Sequence, residues 1–132
     1  MPGETNLQKM LQTIRPTLTH EHYVFVTIEN GKYGDYAELE PKAMFMEDEG
    51  MTLVISKLQA IRHHLAYASV FRCITLKVHS SLDAVGLTAA IAQQLAKYEI
   101  SANVIAGYFH DHIFVHANNA EKAQQALLEL QG

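Results

Sequence analysis

The side chains whose types and spacing come nearest to chemistry are two His-x-His pairs, His20-Glu21-His22 and His110-Asp111-His112. In extended chain, alternate residues project to the same side, so each pair could offer two imidazoles to zinc or another transition metal. A metal-binding protein or metal-dependent enzyme using His20, His22, His110 and His112 is therefore one reading of the chain. The plainer reading of the second pair is a solvated hairpin tip, where Asp favours turns and His tolerates them. Nucleophilic chemistry is harder to assemble. Cys73 is the only cysteine and lies mid-strand between apolar neighbours, where a buried, inert thiol is expected. The chain has neither a Gly-x-Ser-x-Gly elbow nor a phosphate loop. No catalytic residue and no cofactor is assigned from the sequence.

Composition narrows the classes further. With 132 residues, 48% hydrophobic and 18% charged, the chain can bury one sizeable core or two small halves that share one. A net charge of -4 provides no basic surface for nucleic acid. No apolar run approaches the roughly 18 residues of a membrane span, and the N-terminus lacks the design of a signal peptide. A single cysteine fits a reducing compartment. The expectation is a cytoplasmic protein with no nucleic-acid or membrane partner.

Periodicity then supplies the elements. Leu7, Met10, Leu11 and Ile14 are spaced for one helix face, with Thr5 or Asn6 as N-cap and Pro16 as a stop. A strand is predicted from Tyr23 to Ile28, and an irregular connection follows through Gly31, Gly34 and Pro41. Ala43 to Glu47 and Met51 to Ile55 read as a hairpin, with Gly50 at positive φ. Ser56-x-x-Gln59 predicts a capped helix whose apolar side is Leu58, Ile61 and Leu65. Residues 70–78 alternate, with Val70, Ile74, Leu76 and Val78 on one face and Phe71, Cys73, Thr75 and Lys77 on the other. The remainder reads as a helix from about Ala84 to Lys97, strands at 102–109 and 113–117, and a final helix opened by Asn118-x-x-Glu121.

Residues 43–65 and 102–130 repeat the order strand, turn, strand, polar cap, helix, a weak internal repeat. Each half would be a ferredoxin-like unit with its helices on one face of an antiparallel sheet. The N-terminal half, residues 1–70, is irregular and lacks one helix. The C-terminal half, residues 71–132, ends on its last helix, so one strand position must be filled from the N-terminal half or from a second chain.

Two runs carry a family resemblance: Ser-Ser-x-x-Ala-Val-Gly-Leu-Thr-Ala-Ala at 80–90 and Gly-Tyr-Phe-His-Asp-His-Ile-Phe-Val at 107–115. With the strand before them they resemble the ACT domain, and more narrowly the small stand-alone bacterial proteins with two tandem ACT-like halves. The implied fold class is α+β, a ferredoxin-like ACT fold in two tandem halves. One residue departs from the pattern: ACT helices commonly end in Gly before the second strand, and Glu99 stands there. Either Glu99 takes the left-handed conformation, at a cost of about 1 kcal/mol, or the helix ends differently.

The resemblance also implies a function: a sensor or regulatory protein that binds a small molecule, a free amino acid by class. It implies a site too, in the first loop and the start of the second strand: Ser80, Ser81, Asp83, Val85, Gly86, Leu87 and Thr88 with Asn103, Val104 and Ile105. The chemistry suits a zwitterion. Amides near Val85, Gly86 and Leu87 at a helix N-terminus would hold a carboxylate. Asp83 would accept from the ammonium, and Ser80, Ser81, Thr88 and Asn103 add donors and acceptors. The same residues have a plainer use, with Asp83 as an N-cap, Gly86 as a close-packing position and the serines as turn formers. The implied partners are the ligand, a second copy in a homodimer, and a regulated protein. A purely structural partner-binding subunit is the remaining alternative.

Overall fold

The computed structural model describes residues 6–78 and 85–132. The chain divides into two compact units, one of residues 1–20 with 72–132 and the other of residues 21–71.

The first unit is opened by α1 (Leu7–Gln12), whose N-cap Asn6 accepts from the Lys9 N–H at 3.1 Å through Oδ1. The strand β1 (Pro16–Ile28) begins seven residues earlier than the aromatic run suggests. The helix closes at Gln12 with Thr13 as its C-cap, and Pro16 is the first strand residue, a position where its missing N–H costs no ladder bond. The segment Pro16–His20 lies beside β4 (Phe71–Leu76), which is followed in the sheet by β6 (Asp111–His116) and β5 (Asn103–Ala106). Lys77 N–H donates to Ile14 C=O at 2.8 Å, and the Arg72 guanidinium donates to Thr19 C=O at 3.1 and 2.9 Å. Those pairings run in opposite directions along the two segments, so the contact is antiparallel. The strand position left open at the end of the C-terminal half is thus filled from this same chain.

Three helices cover one face of that sheet: α1, α3 (Leu87–Lys97) and α4 (Ala120–Gln131). Met10, Ile14, Ile74, Leu76, Ile91, Leu95, Ile113, Val115 and Leu127 are buried together. Ala120, Ala123 and Ala126 let α4 sit close, and Gln94, buried on α3, donates to Ala126 C=O at 2.9 Å. The α3 terminus answers the question posed by Glu99. Its φ is 58°, its N–H reaches Ala96 C=O at 2.9 Å, and Ile100 N–H reaches Leu95 C=O at 3.0 Å. This is a Schellman ending with a charged residue where glycine is usual.

The second unit is a sheet of β2 (Ala43–Glu47), β3 (Gly50–Ser56) and the remainder of β1, with α2 (Lys57–Arg62) on one face. Val24 pairs with Ile55 and Val26 with Leu53, and these side chains form the core with Met51, Leu39 and Ala60. Ser56 caps α2 as expected, its Oγ accepting from Gln59 N–H at 3.2 Å. The apolar face predicted for that helix is corrected, since Leu58 and Ile61 are 53% and 51% exposed while Ala60 is fully buried. The spacing predicts a helix running to about His64, with Leu65 closing its apolar side. In fact α2 stops at Arg62 in a second Schellman ending, with His64 at φ 56° and Leu65 N–H bonded to Ala60 C=O at 2.9 Å. The early stop breaks the stripe.

Candidate functional site

Ser80, Ser81 and Asp83 lie outside the described residues, so the described part of the candidate loop runs from Val85 to Thr88. Its centre is Gly86, the N-cap of α3, at φ 102° and ψ -21° with no side-chain cap. The N-cap position therefore belongs to Gly86. By contrast α1 and α2 are capped by Asn6 and Ser56, and α4 is approached through a 3₁₀ turn at Ala117–Asn119. Among the described residues no side chain caps the first-turn N–H groups of α3, the arrangement that favours an anion. Leu87 is buried in the core, Thr88 is exposed, and Val85 is 84% exposed.

A contact not anticipated from the sequence lies against this turn. A Cβ on Gly86 would come within 3.2 Å of Leu7 Cδ2, so α1 packs directly against the beginning of α3. The spacing of Leu7, Met10 and Ile14 indicated a buried face on α1 but carried no information about what it faces.

Asn103, Val104 and Ile105 stand on β5, the last strand of this unit's sheet, paired with Phe114, Ile113 and His112. Asn103 is solvent-exposed, and its Nδ2 donates to Phe114 C=O at 3.3 Å. Its amide is thus satisfied in part by the neighbouring strand, without ligand or subunit. Val104 and Ile105 are half-buried.

The His-x-His pairs are placed differently from each other. His20 and His22 are exposed on β1. In the second motif the tip is formed by Gly107, Tyr108 and Phe109, where Gly107 N–H bonds His110 C=O at 2.9 Å, while Asp111 and His112 belong to β6. His110 Nδ1 is 3.3 Å from Val78 C=O, and His112 Nδ1 is 3.0 Å from the Thr75 hydroxyl. Asp111 is buried, which raises its carboxyl pKa, and the nearby His110 opposes that rise. Among the described residues no three His, Cys, Asp or Glu side chains gather as a metal would require. The sole cysteine, Cys73, is buried.

With the two ferredoxin-like units described, family comparison gives their class. The ACT domain is matched twice, over residues 2–72 and over residues 68–129, and the chain belongs to that family. It is similar to a Vibrio cholerae protein of unknown function, described as a possible transport protein, at 50% identity and a TM-score of 0.87 over 96% of each chain. An Agrobacterium tumefaciens protein matches at 16% identity and a TM-score of 0.70, over 88% of this chain and 87% of that one. The regulatory subunit of aspartate kinase from Thermus thermophilus matches at 11% identity and a TM-score of 0.60, over 91% of this chain and 99% of that one. The last two share the fold. No curated protein matches significantly. ACT domains are typically regulatory rather than catalytic, generally bind small molecules and often oligomerise, so membership supports a ligand-binding regulatory role. Among the described residues no helix is long and apolar enough to cross a membrane.

Proposed function

We propose that the chain is a cytoplasmic sensor that binds a free amino acid, or a metabolite of the same zwitterionic form, at the beginning of α3. The observation that carries this reading is the open cap: α3 starts on a glycine at φ 102°, and among the described residues no side chain caps its first turn. A carboxylate there would accept those N–H groups and meet the positive end of an eleven-residue helix. Val85, Gly86, Leu87 and Thr88 form the described part of the site, and Asn103, Val104 and Ile105 supply its strand side. Ser80, Ser81 and Asp83 enter on the sequence alone, with Asp83 as the acceptor for the ammonium.

In this reading the halves 1–70 and 71–132 act as tandem modules, and the protein works as a homodimer. The end strand β2 supports dimerisation, because Met44, Phe45 and Met46 are 37%, 70% and 46% exposed there, an apolar edge that free monomers rarely leave uncovered. Ligand binding would favour one packing of these parts over another and so pass a signal to a regulated protein. A thermal-shift screen of the twenty amino acids tests the proposal. One class of amino acid should stabilise the wild type, by about 2.7 kcal/mol at a hundredfold excess over Kd, and Asp83→Ala should lose the effect. Absence of any shift, or an equal shift in the variant, would count against it.

A further inference from the structure

A second concave surface lies in the other unit, where Phe25, Val26 and Thr27 of β1, Glu47 of β2 and Thr52 of β3 meet the segment after α2. It is a cleft of about 630 Å³, within the range of small-molecule sites. Strand register builds its floor. Phe25 stands opposite Val54, Thr27 opposite Thr52, and Thr52 opposite Phe45 on its other side. Alternation sends these side chains away from the face that carries Val24, Val26, Leu53 and Ile55. Ala66, Tyr67 and Ala68 line the cleft from the segment after α2. Phe25 is held edge-on by Phe71, with ring centroids 5.3 Å apart.

The lining contains one charged side chain, Glu47, at the end of β2. The Thr52 hydroxyl donates to Glu47 Oε1, which ties the carboxylate to the cleft floor. Among the described residues Glu47 has no Lys, Arg or His partner, and the Thr52 hydroxyl is the donor its carboxylate meets. Asp48 and Glu49 follow in the same turn and add to the negative potential. An anion would be repelled here, whereas a cation gains a charge-assisted hydrogen bond to a positioned acceptor. The aromatic groups beside it, Phe25 and Tyr67, offer an apolar body something to lie on and their faces a favourable field for the cation.

We infer that this cleft is a second binding site, for an organic amine carrying an aromatic or branched apolar group. The ammonium sits on Glu47, with the Thr27 and Thr52 hydroxyls alongside, and the apolar body lies along Phe25 and Tyr67. The site belongs to a different unit from the α3 turn and does not depend on the amino-acid reading. The test is a titration of the isotopically labelled full chain, followed by amide chemical shifts, with phenethylamine and with phenylacetate, its anionic counterpart. The amine should move the amides of Thr27, Thr52 and Ala66 to Ala68 in a saturable way, and the acid should leave them in place. Glu47→Gln should weaken the amine about tenfold. Glu49→Gln removes a charge from the same turn without touching the cleft, and should change affinity less than about twofold. The inference is overturned if the acid binds as well as the amine, if no saturable shift occurs at these amides, if Glu47→Gln binds like the wild type, or if both variants lose affinity equally.

Discussion

Gly86→Ala tests whether the α3 turn has the geometry on which the candidate site depends. Two costs are expected, and the structure separates them. The first is conformational: φ of 102° lies beyond the left-handed well that an L-residue tolerates, which costs about 1–3 kcal/mol. The second is steric: the new methyl would sit 3.2 Å from Leu7 Cδ2, the end of a flexible side chain that can yield a few tenths of an ångström. The steric part should therefore be small, about 0.5 kcal/mol or less. The assay is urea unfolding of the wild type, Gly86→Ala, Leu7→Ala and the double variant. Leu7 is half-buried, so its truncation alone should cost about 1–2 kcal/mol. If the backbone term dominates, the cycle is nearly additive, with coupling below about 0.5 kcal/mol. A neutral Gly86→Ala variant would refute the positive φ, and full rescue by Leu7→Ala would refute the assignment of the cost to the backbone.

Other consequences follow from the same physics. Glu99→Gly and His64→Gly place glycine at left-handed helix endings with φ of 58° and 56°, so each should stabilise by about 0.5–1 kcal/mol in the same unfolding assay. Asp111 binds its proton more tightly folded than unfolded, because burial raises its pKa above the ordinary carboxylate value of 3.8. Its contribution to stability is therefore fully present below that value and is lost as pH rises through the higher folded pKa. Asp111→Asn should gain on the wild type between acid and neutral pH, as read from unfolding curves across that interval, and a constant difference would contradict the sign.

What could be read from the sequence divides along local and non-local lines. The Ser56 cap and the hairpin from Ala43 to Ser56 were predicted because each depends on residues within a few positions of one another. The departure at Glu99 was visible for the same reason. The start of β1 was missed because Thr17 to His22 lacks a strong apolar alternation, and its strand state depends on β4, more than fifty residues away. The apolar face of α2 was misplaced because the periodicity was extended past a helix end that no glycine or proline marked. At the candidate site, Gly86 stood out as a residue, but its contact with Leu7 joins segments nearly eighty positions apart and left no local trace. Asn103 was singled out as a donor and acceptor for a ligand, and the carbonyl of Phe114 across the hairpin already takes one of its N–H groups.

The most direct test of the central claim is an amide-shift titration of the full chain with the amino acid that gives the largest thermal stabilisation. The account predicts saturable shifts centred on Val85 to Thr88, together with Asn103 to Ile105, and their loss in Gly86→Ala even at ligand concentrations that saturate the wild type. Saturable binding that leaves those amides unmoved, or that persists unchanged in Gly86→Ala, would contradict it.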